Sequence, residues 1–150
     1  MERNALFHKK FVIKGGDFVR AGEASVEIKN ILKEVGFDPE VIRRVAIASY
    51  EAEMNVVMYG EGGQIDFTVD PDGVHLIVED EGPGIPNIDL AMEEGYSTAT
   101  EEMREMGFGA GMGLPNIRKN SDNFEITSTV NQGTRLDVVI RSRRSESGNG

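Results

Sequence analysis

The chain has 150 residues, 39% hydrophobic and 28% charged, a composition that fits a folded globular domain and not a disordered one. Its 26 acidic residues against 16 basic ones give a net charge of -10, which argues against nucleic acid and anionic membrane surfaces as partners. The lack of cysteine removes disulfides, thiolate catalysis and Cys-ligated zinc.

No apolar run reaches the ~18 residues of a membrane span, and the N-terminus lacks the hydrophobic core of a signal peptide. A cytoplasmic protein is therefore expected, with no membrane partner. One domain over residues 1–142 is the simplest organisation, followed by a disordered polar tail, residues 143–150.

Leu6 to Lys14 reads as a strand, broken by Gly15-Gly16. Asp17 is a plausible N-cap for a helix to Val35, because Phe18, Ala21, Ile28, Leu32 and Val35 recur at helical spacing. Gly36 stops that helix, and Asp38-Pro39 opens a second one to Met58, with Ile42, Val45, Ala48, Ala52 and Val56 on one face. Strands at Gln64–Val69 and Val74–Asp80 flank the turn Pro71-Asp72-Gly73 and predict a hairpin.

Residues 81–111 carry little periodicity beyond a short amphipathic piece, Ile88 to Glu94. A connection this long in a compact domain predicts a lid or binding loop. A helix over Gly113–Asn120 follows, then strands at Phe124–Val130 and Thr134–Arg141 around Asn131-Gln132-Gly133. The order β-α-α-β-β-loop-α-β-β predicts an α+β fold, a mixed but mostly antiparallel sheet with helices on one face.

Gly107, Gly109, Gly111 and Gly113 stand at every second position of Gly-Phe-Gly-Ala-Gly-Met-Gly, immediately before the third helix. Bare backbone N–H groups at such a run can approach an anion closely, so the run points to a nucleotide polyphosphate. It lacks the Gly-Lys-Ser/Thr ending of a P-loop and the Gly-x-Gly-x-x-Gly pattern of a dinucleotide fold. In Asp80-Glu81-Gly82-Pro83-Gly84, a carboxylate at a strand end can accept from an exocyclic amine such as that of adenine, and Gly84 leaves room for the ring.

Glu51 and Asn55 share one face of the second helix. Asn55 offers an amide oxygen to magnesium, and Glu51 can take a proton from an attacking hydroxyl or water, although the pair taken alone reads more simply as a solvated helical face. Glu53, Glu93 and Glu94 read as solvated surface. His8 and His75 fall in strands without ligand-like spacing.

Taken in order, Glu51-Ala-Glu-Met-Asn55, Asp80-Glu-Gly-Pro-Gly84, Gly107-Phe-Gly-Ala-Gly-Met-Gly113 and Gly133-Thr134 resemble the successive motifs of the GHKL ATPase superfamily over roughly residues 8–141. Leu90-Ala-Met-Glu-Glu-Gly-Tyr-Ser-Thr-Ala99 and the later Gly-Met-Gly-Leu-Pro look most like bacterial switch serine/threonine kinases (RsbT-like), then anti-sigma factors (RsbW-like).

The resemblance implies a two-layer GHKL (Bergerat) α/β sandwich with an ATP lid, and ATP with Mg2+ as cofactors. It implies Glu51 as general base and Asn55 as magnesium ligand. Asp80, Gly82, Gly84, Ile85 and Thr134 would surround the base, with Thr134 acting through a water. Gly107, Gly109, Gly111, Met112, Gly113 and Leu114 would line the phosphate end. Arg104, Arg118 and Lys119 are candidate cations for phosphoryl transfer, each with a solvated-surface reading at least as good.

The expected function is phosphorylation of a STAS-domain anti-sigma antagonist or scaffold. The alternative is ATP-gated sequestration of a sigma factor or other regulator. The family likeness also suggests a homodimer or a partner-bound complex. A histidine-kinase catalytic domain is disfavoured because no phosphoacceptor helix precedes the motifs, gyrase-like machines are disfavoured by length, and a metabolic small-molecule kinase is a more distant option. Two departures stand out. Thr100 to Met106 lengthens the lid, and Tyr50-Glu51 replaces the Ser-Glu often found at the first motif.

Overall fold

The computed structural model describes residues 6–59, 61–82, 84–85, 88–93 and 113–142. The five strands are β1 (Phe7–Ile13), β2 (Gly63–Asp70), β3 (Gly73–Asp80), β4 (Asn123–Thr129) and β5 (Gly133–Arg141). They form one sheet in the order β1-β2-β3-β5-β4. Each of these pairings is antiparallel, so the parallel part of a mixed sheet does not occur among the described strands. The helices are α1 (Glu23–Val35), α2 (Pro39–Tyr59), the single turn α3 (Ile88–Ala91) and α4 (Gly113–Lys119).

Strand alternation sends one row of apolar side chains toward the helices. In register, Phe11–Ile65–Val78–Leu136 and Val69–Val74–Ile140 cross the sheet beneath α1 and α2. Ile28 and Leu32 of α1, Val41, Val45, Ala48, Ala52 and Val56 of α2 and Ile117 of α4 complete this core. It is the α+β arrangement with helices on one face that the element order predicts, and the two-layer sandwich that the resemblance implies. The opposite face of the sheet is polar, and there His8 meets Asp66 at 3.1 Å and His75 meets Asp137 at 2.6 Å. Both histidines are thus ordinary strand residues with carboxylate partners.

The first helix starts later than expected. Asp17 does accept a hydrogen bond from the Arg20 N–H (3.2 Å), but it caps only a turn. Gly22, at φ 100°, interrupts the helical path, and α1 begins at Glu23. Gly22 offers no side chain to the free N–H groups of the first turn. The α2 residue Glu53 supplies the cap instead, accepting from the N–H groups of Gly22 (3.0 Å), Ala24 (3.3 Å) and Ser25 (3.0 Å). Glu53 is 2% exposed, which overturns its reading as solvated surface. The long connection expected to act as a lid, including Thr100 to Met106, lies largely outside the described residues, as does the tail 143–150.

An ion pair ties α2 to the β4 edge. Burial pushes the Asp122 carboxyl up, but the Arg141 N–H (2.6 Å) and the Arg44 guanidinium (3.2 Å) outweigh it and hold the group below the usual aspartate range. A carboxyl depressed in the folded state stabilises the fold above its unfolded pKa, and this contribution is lost as pH falls through the folded pKa. Asp122→Asn is therefore expected to lower stability by about 1 kcal/mol at neutral pH. The difference should shrink toward zero on acidification below the ordinary aspartate pKa of about 3.9. Urea midpoints of the two proteins at neutral and acid pH check this.

Candidate active site

The helix-facing row at one end of the sheet runs Gly63–Asp80–Thr134–Ser128 across β2, β3, β5 and β4. It continues the core rows but replaces apolar residues with polar ones. The Asp80 Oδ1 accepts from the Gly82 N–H at 2.9 Å. Burial pushes the Asp80 carboxyl up, opposed by the Gly82 and Thr134 N–H groups that donate to it. A half-buried carboxylate with two backbone donors is fixed in direction and can present its remaining lone pairs to a base amine.

The segment after Asp80 is pinned to the β4–β5 turn. Gly84 has φ 80°, and a Cβ on it would stand 2.5 Å from the Thr129 carbonyl oxygen. Gly84 is therefore required here by the close approach of two backbones, in addition to any room it leaves for a ring. The Ile85 N–H donates to Ser128 Oγ (2.7 Å), which also lies 2.9 Å from Thr134 Oγ1 and 3.2 Å from the Gly133 carbonyl oxygen. Ser128 has one proton. If it donates to the Gly133 carbonyl, Thr134 must donate to Ser128 and keeps acceptor capacity for a water. Ser128 was not legible as a site residue, since a serine in a polar edge strand carries no signal of its own.

Glu51 and Asn55 project from α2 toward α4, as their i,i+4 spacing requires. A Cβ built on Gly113 would lie 3.2 Å from Asn55 Oδ1 and 3.5 Å from Glu51 Oε1. The last glycine of the alternating run thus sits where any side chain would fill the space between these two groups. Asn116, one turn further along α4, places Nδ2 3.4 Å from Glu51 Oε2. Sequence reading did not single out Asn116. The only hint was a polar residue between Pro115 and Ile117, both of which are buried.

Gly107, Gly109, Gly111 and Met112 lie outside the described residues, as does Arg104. Leu114 is half-buried and packs on the core. Arg118 and Lys119 are exposed in the last turn of α4, about 7–9 Å along the helix axis from Gly113.

Among the described residues no cluster of three or more His, Asp or Glu could hold a metal by itself. Magnesium bound with a nucleotide needs no such cage, because phosphate oxygens and waters supply most of its ligands. The Asn55 amide oxygen, beside a residue with no side chain of its own at Gly113, fits that donor set.

Gly113→Ala probes that position directly. The backbone of α4 tolerates alanine, while the added methyl forces the Asn55 amide to move. The expected outcome is a Mg-ATP affinity reduced about tenfold with little change in melting temperature, measured by nucleotide titration and thermal unfolding.

Comparison with known proteins places the chain in a family. The model of the family described as "Histidine kinase-, DNA gyrase B-, and HSP90-like ATPase" matches residues 40–144, from the start of α2 to just beyond β5. Serine/threonine-protein kinase RsbT of Bacillus subtilis is 34% identical over 115 residues, covering 74% of this chain and 80% of that protein. An anti-sigma F factor of Clostridium kluyveri is 31% identical over 118 residues, covering 75% of this chain and 80% of that protein. A chain in the crystal structure of the SiaB-SiaC complex from Pseudomonas aeruginosa superposes with a TM-score of 0.60 over 92% of this chain and 90% of that one. At 14% identity, that likeness speaks for the fold alone. Sequence motifs, sheet register and relatives converge: the chain belongs to the histidine kinase-, DNA gyrase B- and HSP90-like ATPase family, on the branch that holds the RsbT serine/threonine kinase and the anti-sigma F factors.

Proposed function

We propose that this chain is an ATP-dependent serine/threonine kinase of a partner-switching system, acting on a STAS-domain antagonist or scaffold protein. The observation that carries the reading is the meeting of Glu51, Asn55 and Gly113, three positions from two separate motifs: a Cβ on Gly113 would stand 3.2 Å from Asn55 Oδ1 and 3.5 Å from Glu51 Oε1. Asp80, Gly82, Gly84, Ile85 and Thr134 bind the adenine end, with Thr134 contacting it through a water. The glycine run from Gly107 to Gly113, with Met112 and Leu114, cradles the phosphates.

Asn55 Oδ1 would hold magnesium, which when bound would neutralise charge on the phosphate oxygens. The acceptor hydroxyl loses its proton to Glu51, its oxygen bonds to the γ-phosphorus, and the bond to the β,γ-bridging oxygen breaks to release ADP. Most of the acceleration comes from alignment and charge neutralisation, because the loose transition state of phosphoryl transfer leaves little covalent work to the protein.

The domain spans residues 1–142 and works in the cytoplasm. The acidic chain has no use for nucleic acid, and a homodimer or a heteromeric complex is its working form.

Transfer of label from γ-labelled ATP to a STAS-domain protein tests the kinase reading. Label on a serine or threonine of that protein, absent with Asn55→Ala, is the expected result, and no transfer to any STAS partner overturns it. The similarity to anti-sigma F factors favours one second reading, ATP-gated sequestration of a sigma factor or regulator. A ligand can shift partner binding only through different affinity for the two protein states. Equal capture of the partner with ADP and with an ATP analogue would exclude that version.

A further inference from the structure

Glu51 has two carboxylate oxygens with different surroundings. Oε2 lies 3.4 Å from Asn116 Nδ2 of α4, and Oε1 faces the space beside Gly113. An unrestrained glutamate on a helix surface samples several rotamers, and a base must hold one of them to meet a hydroxyl proton. Asn116 is an odd choice for packing alone. Asparagine ranks low in helix propensity, α4 has only seven residues, and Asn116 stands between two buried residues. Alanine or leucine would satisfy the helix and the contact with α2 better.

Asn116 is itself held in place. Its carbonyl oxygen accepts from both the backbone N–H (3.2 Å) and the side-chain Nδ2 (2.9 Å) of Asn120, and the Ser121 hydroxyl closes onto the Ile117 carbonyl. Ile117, the next residue, is fully buried in the core. The amide that meets Glu51 is therefore mounted on a helix fixed by packing on one side and by side-chain caps at its end. Its approach at 3.4 Å is at the long end for a hydrogen bond, as catalytic contacts commonly are without substrate.

We propose that Asn116 is the positioning residue for Glu51: its amide holds Oε2 and leaves Oε1 turned to the Gly113 side, where the acceptor hydroxyl gives up its proton. The proposal rests on the reading of Glu51 as general base. It also ties the base to α4, the helix that begins at the last glycine of the run. Asn55, four residues along α2 from Glu51, borders the same position of α4.

The test uses the whole chain with Mg-ATP and water as acceptor, following labelled phosphate in single turnovers at saturating nucleotide. Asn116→Leu removes the donor, and Asn116→Asp keeps the shape but faces Glu51 with a second carboxylate. Turnover is expected to fall about tenfold in Asn116→Leu and further in Asn116→Asp, with ATP affinity held within about twofold. Asn116→Gln, which keeps the amide, should recover part of the rate. In a Glu51→Gln background Asn116→Leu should cause no additional loss, since the two act as one unit. A second measurement does not need activity: the side-chain amide NMR signal of Asn116 should shift when Glu51 is replaced.

The failures separate cleanly. Wild-type turnover that persists undiminished in Glu51→Gln overturns the general-base reading itself. Turnover that needs Glu51 but is unchanged in Asn116→Leu, or equal losses of rate and ATP affinity, overturns the positioning role alone. An Asn116 amide signal that ignores Glu51 does the same.

Discussion

Glu51→Gln is expected to lower phosphoryl transfer by about two to four orders of magnitude, the usual contribution of a positioned general base. Glutamine keeps the volume and an acceptor oxygen, but it cannot take the proton. The substitution leaves Asn55, Gly113 and the Asp80 end of the site untouched, so affinity for Mg-ATP should remain within a factor of about two. Asn55→Ala should show the other pattern. It removes the amide oxygen beside Gly113, and the loss should appear in Mg-ATP affinity as well as in rate. Single-turnover rates and nucleotide titrations on the two variants distinguish the roles. A Glu51→Gln protein that transfers phosphate at the full rate would remove Glu51 from the chemistry.

The two halves of this site differ in how far sequence could reveal them. The strands and helices were legible because their punctuation is local: Gly36, Asp38-Pro39 and Pro71-Asp72-Gly73 mark ends within a few residues of the elements they bound. That Glu51 and Asn55 share a face of α2 follows from helical spacing, and Asp80 ends an apolar strand. Neither pattern alone marks a site: a solvated helical face and an Asp-Gly turn read from them as well, and only the ordered motifs together point to a nucleotide. What stayed hidden depends on partners distant in sequence. Asn116 meets a residue 65 positions away, and Ser128 ties Ile85 to the β4–β5 turn across 43 positions. Neither has a pattern of its own. The start of α1 was misread because Asp17 has the right chemistry for a cap, while the left-handed backbone at Gly22 decides where the helix can begin.

Glu53 is the plainest case, and it leads to the largest expected effect on stability. It lies two residues from Glu51, so the two side chains leave α2 about 200° apart. Glu51 faces Gly113 of α4, while Glu53 is buried under α1 and accepts three backbone N–H groups there. A carboxylate at that position also meets the positive end of the α1 dipole. Glu53→Ala strands donors of which those of Ala24 and Ser25 are buried, and no side chain of the Gly22 cap can replace it.

The expected loss is about 3 kcal/mol, from unsatisfied donors and a missing cap, or a melting temperature roughly 6–12 °C lower. Glu53→Gln keeps one acceptor oxygen and should lose about half as much. At temperatures where both variants remain folded, their ATP affinity and turnover should match the parent, because no Glu53 oxygen reaches the site. Glu51→Gln should do the reverse, leaving melting nearly unchanged while transfer falls by about two to four orders of magnitude. If Glu53→Ala melts like the parent, α1 must draw its first-turn hydrogen bonds from elsewhere, and the bridge between the two helices is not what holds α1 against α2.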